Sequence, residues 1–253
     1  MARTLNVLGI IPPRPGSLRI LTDCRATREN IMTGLKWLVK GAKKGDLLIF
    51  YYSGHGSQVA DVSGDDIDGK DETICPHDFA TAGMIKDDHL RSIFSGIAAG
   101  VNLEVILDSC HSGTGTRERA ALDAMPEDQK VTIRYVEPPL DYQFFLDEDP
   151  TIPVRGFLRG TAGEKEAVVV PGLNHALWAA CEDNQTAGEG PADGTMRGFF
   201  SYCFCKILRR AGTNITRRRL DSLVAGCLRQ TFGAGQVPQL EGTKTILNEK
   251  VFT

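Results

Sequence analysis

The sequence predicts an α/β protein with a mostly parallel central sheet flanked by helices, an α/β/α sandwich, on two observations. Residues 46–52 (DLLIFYY) and 102–107 (NLEVIL) are nearly continuous apolar runs of strand length. They lack the polar alternation of half-exposed strands, as expected where both faces are covered. Around them lie amphipathic stretches of helical length, which gives βαβ order with right-handed crossovers.

The elements follow in order. Residues 18–22 form a short apolar run, and Thr27 suits the N-cap of a helix whose apolar positions Ile31, Leu35, Leu38, Val39 and Ala42 keep helical spacing until Gly41 and Gly45 end it. After the 46–52 strand comes a polar loop. Residues 88–98 read as a helix with Leu90, Ile93, Phe94 and Ile97 on one face, and the 102–107 strand runs into Asp108-Ser109-Cys110. From 114 to 172 the pattern dissolves into charged, Pro-bearing text, read as a long linker or insertion that Phe144, Phe145 and Leu146 pin in part. Order resumes with a strand at 175–181 (HALWAAC), helices at 197–210 and 216–230, and a turn and terminal strand around Pro238. The chain reads as one domain over 1–253: a first part to about 113, the linker at 114–172, and a second part from about 173.

Composition bounds the function. With 253 residues and 42% hydrophobic content the chain can bury a core, which excludes disordered and disulfide-scaffold classes. A net charge of -3 argues against nucleic acid or an anionic membrane as the main partner. No window reaches 18 continuous apolar residues, and the opening MARTLNVLGIIPPRPG, broken by three prolines, reads neither as a membrane span nor as a signal peptide. Seven cysteines without a CxxC pair suit a reducing compartment, so a cytoplasmic protein is expected.

The chemistry gathers in two loops after apolar strands: Tyr52-Ser53-Gly54-His55-Gly56 and Leu107-Asp108-Ser109-Cys110-His111-Ser112-Gly113. In an open parallel sheet such loops share the carboxyl edge, where ligands bind. Cys110 and His55 thereby form a candidate thiol–imidazole pair, in which the imidazole takes the thiol proton and later protonates a leaving amine. A lone cysteine after a buried strand is ordinarily a small core residue, and a histidine between glycines is ordinarily a turn residue. Their joint placement is what favours chemistry. His111 competes for the base role, but as the immediate neighbour of Cys110 in a tight turn it is expected to point elsewhere.

The segments YYSGHGSQ, DGKDETICPHDF, IKDDHL, LEVILDSCHSG, AACEDNQTAGE and RGFFSYCFCKILR resemble, in order and spacing, the metacaspases and prokaryotic caspase homologues. The resemblance implies a caspase-like fold and a cysteine endopeptidase with His55 as general base and acid and Cys110 as nucleophile. The part to about 113 would correspond to the large subunit and that from about 173 to the small one.

Asp108 stands two residues before Cys110, so strand alternation points both side chains to one side. A carboxylate there favours a cationic residue before the scissile bond, hence a protein or peptide substrate with Arg or Lys at that position; the plain alternative is a turn or helix cap. Ser53 matches a second pocket position of the family. The backbone N–H groups of Cys110 and Gly56 are the expected oxyanion hole.

Between Asp61 and Glu72 six acids and one Lys give a net charge of -5, a density that must be solvated or neutralised. The segment is not an EF-hand, because Gly64 and Cys75 fall where acids are required. In related metacaspases calcium bridges an aspartate of this loop and a downstream pair, which map to Asp71, Asp87 and Asp88, so Ca²⁺ is the expected activator. A fourth family ligand falls on Arg117, a departure that leaves a merely solvated acidic loop as the rival.

Cys181, Cys203, Cys205 and Cys227 read as core, His77, His89 and His175 lack ligand spacing, and Asp183 and Gln185 are candidates to line the site. The linker holds Arg117, Arg119, Lys130, Arg134, Arg155, Arg159 and Lys165, where a basic-specific protease would cut itself. The family's usual first strand and its Gly-Cys-x-Asn-Asp-type turn, a source of another pocket aspartate, are not found; MARTLNVLGI stands as the following helix or a remnant strand. That keeps open an inactive caspase-fold interaction module. A calcium-responsive regulatory domain without proteolysis is the third reading, and the family implies a monomer.

Overall fold

The structure is a computed structural model and describes residues 1–60, 70–110, 131–138, 168–169, 174–182, 185–233 and 235–253. Its centre is a five-stranded sheet in the order β1-β5-β8-β11-β7: β1 Leu47–Ser53, β5 Asn102–Asp108, β8 Ala176–Ala179, β11 Gln239–Gly242 and β7 Val168–Val169. The pairs β1/β5, β5/β8 and β11/β7 are parallel, and β8/β11 is antiparallel.

Alternation along the strands divides the core into two layers. Leu103, Val105, Leu107 and Leu177, with the partly buried Leu48, Phe50 and Tyr52, pack on α2 (Arg28–Val39) and α4 (Asp87–Ser95) through Ile31, Leu35, Leu90 and Phe94. Ile106, Trp178 and Leu240 face the other way, against α5 (Phe199–Ala211) and α6 (Arg217–Phe232) through Phe200, Phe204, Leu220 and Val224. Thr27 caps α2 by accepting the Asn30 N–H, as its position predicts, and Thr216 caps α6 in the same way.

A buried ion pair ties the second layer to the sheet. Glu104 accepts Arg217 Nε at 2.8 Å, the Trp178 indole N–H at 2.7 Å and the Phe252 N–H at 3.0 Å. With every oxygen of so deep a carboxylate answered, removing any partner leaves a buried charge unmatched.

Four expectations need correction. The polar loop after Tyr52 contains a hairpin, β2 (Gly56–Ala60) with β3 (Lys70–Ile74), joined by β4 (Ile85–Lys86) into a small antiparallel sheet. Its inward positions include Ser57, Asp71 and Thr73, so polar side chains hid the strand pattern. The helix expected from 197 is preceded by a second hairpin, β9 (Gly188–Ala192) with β10 (Thr195–Gly198). The linker contributes two strands, β7 and β6 (Thr132–Ile133), the latter paired with β9. The last segment carries a short helix, α7 (Lys244–Asn248), after its strand.

Cys203 and Cys227 are indeed core, and they are also joined as a disulfide between α5 and α6, with Cα atoms 5.7 Å apart. The opening segment is a helix, α1 (Ala2–Val7), whose Leu5 is buried and whose Thr4 hydroxyl accepts from Arg209 on α5 at 2.7 Å. It adds no strand beside β1, which is an edge of the described sheet. Among the described residues no helix is long and apolar enough to cross a membrane.

Candidate active site

β1 and β5 run in register, with Ser53 opposite Asp108, so the two chemistry-bearing loops leave the sheet side by side. The Gly54 N–H donates to the Asp108 carbonyl at 3.2 Å, which staples one loop to the other. The His55 turn is held from below. Tyr52 places its hydroxyl 2.6 Å from the His55 carbonyl and 2.9 Å from that of Cys75, and the Cys75 N–H donates to the His55 carbonyl at 3.0 Å. A side chain on Gly54 would meet that hydroxyl at 2.7 Å, so the turn closes only over glycine.

Cys110 is fully buried, and its thiol donates to the Gln185 carbonyl at 3.5 Å. Gln185 therefore lines the site as its sequence position suggested, and its side chain accepts the Val237 N–H at 2.7 Å. Asp183, His111 and Gly113 lie outside the described residues, as do Arg117, Glu118 and the acids between 61 and 68.

What occupies the cleft is a piece of the chain itself. Thr132 and Ile133 add to β9 as an antiparallel strand, opposite Glu189 and Gly188. The next residue, Arg134, is buried. Its N–H donates to the Ala187 carbonyl at 2.9 Å, and its own carbonyl accepts the Gly56 N–H at 2.9 Å and the Cys110 N–H at 3.2 Å. The two donors expected to form an oxyanion hole thus converge on one carbonyl oxygen. Beyond it the Val136 N–H donates to the Gly56 carbonyl at 3.0 Å.

The Arg134 guanidinium fills the pocket that Asp108 and Ser53 were expected to build. One terminal nitrogen lies 2.6 Å from Ser53 Oγ, 2.8 Å from the Asp108 carbonyl and 3.3 Å from the Asp108 carboxylate; the other lies 2.8 Å from Glu189 Oε2. Asp108 is fully buried and also accepts the Ser201 N–H, in the first turn of α5, at 3.2 Å. Burial pushes its pKa up and the guanidinium opposes that shift, so the ionised carboxylate depends on a cation beside it. Behind the pocket Tyr51 hydrogen-bonds Ser201 Oγ at 2.6 Å, and burial raises its phenol to about 12.

Two pocket residues escaped the sequence reading. Glu189 sits within the AACEDNQTAGE segment, but only the β9/β10 hairpin aims it at the guanidinium. Gly198, at the end of β10, leaves room for the ion pair: a Cβ there would run into the Asp108 carboxylate and lie 2.7 Å from Arg134 Cζ. No local signal marks either one.

Desolvation lowers the His55 pKa; the Glu189 carboxylate opposes this and the Arg134 charge adds to it. A neutral imidazole near pH 7 is the form that accepts a proton.

The three aspartates mapped to calcium are placed beside cations. Asp71 lies 2.8 Å from Lys86 Nζ, and Arg91 bridges Asp87 and Asp88, each at 3.2 Å. Asp71 and Asp87 are buried oxygen donors, and an ammonium stands against the first where a metal cation would be drawn. Among the described residues no group of three or more His, Cys, Asp or Glu is gathered closely enough to hold an ion. His89 accepts the Lys86 N–H at 3.2 Å in the α4 cap, and buried His175 pairs with Asn174 at 2.8 Å and packs edge-on against Phe94, so both are structural.

Comparison with known proteins places the family and the fold. Residues 17–117 match the family model described as metacaspase, peptidase C14 domain. Metacaspase-1 of Arabidopsis thaliana is 33% identical over 236 residues, covering 87% of this chain and 56% of that protein. Metacaspase-3 of the same plant is 34% identical, covering 85% and 54%, and Metacaspase-1 of Yarrowia lipolytica is 33% identical, covering 78% and 47%. The chain thus spans about half the length of the curated relatives it matches. A crystal structure of a Geobacter sulfurreducens protein superposes with a TM-score of 0.65 at 24% identity, covering 98% of this chain and 86% of the other, a likeness of fold. Because the matched segment contains Ser53, His55, Gly56, Asp108 and Cys110, the loops that grip Arg134 lie inside the shared domain, and the chain belongs to the metacaspase family.

Proposed function

We propose that this chain is a cysteine endopeptidase cutting protein and peptide substrates after Arg, and less readily after Lys. One observation carries the reading: an arginine whose carbonyl is held by the Gly56 and Cys110 N–H groups while its guanidinium meets Asp108, Ser53 and Glu189. In the proposed reaction the Cys110 sulfur attacks that carbonyl carbon and the two N–H groups stabilise the developing oxyanion. His55 takes the thiol proton and delivers it to the leaving amine, and water then hydrolyses the thioester.

Peptides with Arg, Lys or Asp before a fluorophore, assayed with wild type and Cys110→Ala, test this. Arg and Lys peptides should turn over with wild type alone. Cleavage after Asp, or activity that survives in Cys110→Ala, overturns it. An inactive interaction module predicts no turnover of any peptide.

Calcium enters the proposal as an activator bound away from the scissile bond. Asp71, Asp87 and Asp88 would hold it in exchange for Lys86 and Arg91, and its chemistry there is charge neutralisation. The support is the resemblance alone: Asp71 already faces Lys86, Asp87 faces Arg91, and among the described residues no three such ligands are gathered. Activity should rise with Ca²⁺ in wild type and not in Asp71→Asn; a flat wild-type response removes the ion. A monomer without nucleic-acid or membrane partners completes the reading, supported as to partners by the net charge of -3; the Cys203–Cys227 disulfide stands against the cytoplasmic location expected from the cysteine spacing.

A further inference from the structure

We propose that the small antiparallel sheet carries a specificity pocket for the second residue after the scissile bond, built by Val59, Met84, Cys75 and Phe79, and that it selects a branched apolar side chain. The inference rests on the peptidase reading above and adds to its arginine a second determinant of the substrate class.

The segment seated in the cleft shows how a peptide runs past the catalytic loops. Gly56 makes two backbone bonds to it: its N–H donates to the Arg134 carbonyl at 2.9 Å, and its carbonyl accepts the Val136 N–H at 3.0 Å. These bonds bracket Tyr135 in a parallel bridge, so the backbone leaves the Arg134 carbonyl as an added strand with its direction fixed. Side chains alternate along such a strand. Tyr135 packs with the α5/α6 layer, and Val136 turns the other way, against Val59 and Met84, where Cys75 and Phe79 also pack.

The walls come from separate pieces of chain, each held in place. Val59 lies on β2 and is 4% exposed, and Met84 immediately precedes β4 and has no exposed surface. Thr73 Oγ on β3 lies 3.3 Å from Met84 Sδ and 3.2 Å from the Ser57 carbonyl, which pins the thioether. Cys75 follows β3, and its N–H donates to the His55 carbonyl at 3.0 Å; Phe79 opens a short helix, α3 (Phe79–Ala82). Arg134 is held by Asp108, Ser53 and Glu189, and none of the four wall residues is among them, so the two selections are separable.

The lining is apolar in its chemistry. Burial raises the Cys75 thiol to about 12, so it stays neutral, and the same desolvation acts against a carboxylate or ammonium brought in by a substrate. Asp71, opposite Val59 in the β2/β3 pairing, is matched by Lys86 Nζ at 2.8 Å, so the ion pair offers a substrate no net charge. A β-branched side chain suits an extended backbone and has little rotamer freedom to lose on binding. Alanine in its place has two methyl groups fewer, a difference that should cost about tenfold.

Peptides with a fluorophore before Arg and a quencher several residues beyond it, identical except for Val, Ala, Asp or Lys two places after Arg, test this on the full chain at one Ca²⁺ concentration. A fluorophore attached directly to Arg would leave the pocket empty. The resident segment competes with every peptide alike, so ratios of kcat/KM read the pocket. Wild type should favour Val over Ala about tenfold, and over Asp and Lys by roughly 30-fold or more. Met84→Ala should bring the Val-to-Ala ratio to about threefold or less, and Met84→Leu should keep most of it. A general loss of folding or catalysis lowers all peptides together and does not move the ratios.

Equal turnover of the Val and Ala peptides by wild type, or a preference for Asp or Lys, overturns this inference and leaves the peptidase reading standing. An unchanged ratio in Met84→Ala also overturns it, because the selection would then lie elsewhere. Absence of turnover of every Arg peptide defeats the peptidase reading and this inference with it. Should Met84→Ala fail to fold, Val59→Ala carries the same comparison.

Discussion

Replacing Glu189 by Gln should narrow the preference for Arg over Lys. Asp108 and Ser53 hold one terminal nitrogen of the guanidinium, and Glu189 holds the other at 2.8 Å. A lysine ammonium is a single point charge and cannot serve both positions together. Hydrogen bonds to charged groups contribute about 1.5–3 kcal/mol. The Glu189 side chain is 32% exposed, so solvent screening brings its share to roughly 1–2 kcal/mol. At about 1.4 kcal/mol per factor of ten, the Arg-to-Lys ratio of kcat/KM should fall roughly 5- to 30-fold, chiefly through the Arg substrate. The assay compares two peptides differing only at that residue. The same substitution has a second readout. Glu189 raises the His55 pKa, so its loss should move the acid limb of the pH profile to lower pH. An unchanged Arg-to-Lys ratio, or an equal fall for both peptides, would show that Glu189 does not discriminate.

Two further predictions concern the pocket and the core. Gly198→Ala places a Cβ against the Asp108 carboxylate and 2.7 Å from the site of the guanidinium carbon, so KM for Arg peptides should rise at least tenfold and the fold should lose about 1–3 kcal/mol; an unaltered KM would mean that the hairpin yields. His175 is 2% exposed, and burial lowers its pKa to about 3, with Arg91 adding to the shift. A folded pKa below the unfolded value of about 6.5 means that the full stability is present above pH 6.5 and is lost as pH falls toward 3, by up to roughly 1.4 kcal/mol per pH unit. Denaturant midpoints of wild type and His175→Asn between pH 7 and 4 should diverge, the variant falling less steeply; parallel curves would refute the role given to His175.

Much of the scaffold was legible because it is written in short-range periodicity. The runs 46–52 and 102–107 became β1 and β5, Thr27 and Thr216 became caps, and the predicted helix positions Ile31, Leu35, Leu90 and Phe94 form one layer of the core. Strand order then brought the loops holding His55 and Cys110 together. The β2/β3 and β9/β10 hairpins were not legible. Ser57, Asp71 and Thr73 face inward in the first, and Gly188, Gly190 and Pro191 interrupt the second, so neither shows apolar alternation.

From the residues alone came the sandwich, the two loops at one edge and the carboxylate two places before the cysteine, since each depends on neighbours in sequence. Only the tertiary structure decided what the carboxylate meets: Arg134 from 26 residues further along the chain, Glu189 from 55 beyond that, and the space left by Gly198. Charge on a side chain is a property of the residue, but its partner is chosen by chain crossings. In a buried pocket that partner sets both the ionisation of Asp108 and the occupancy of the cleft.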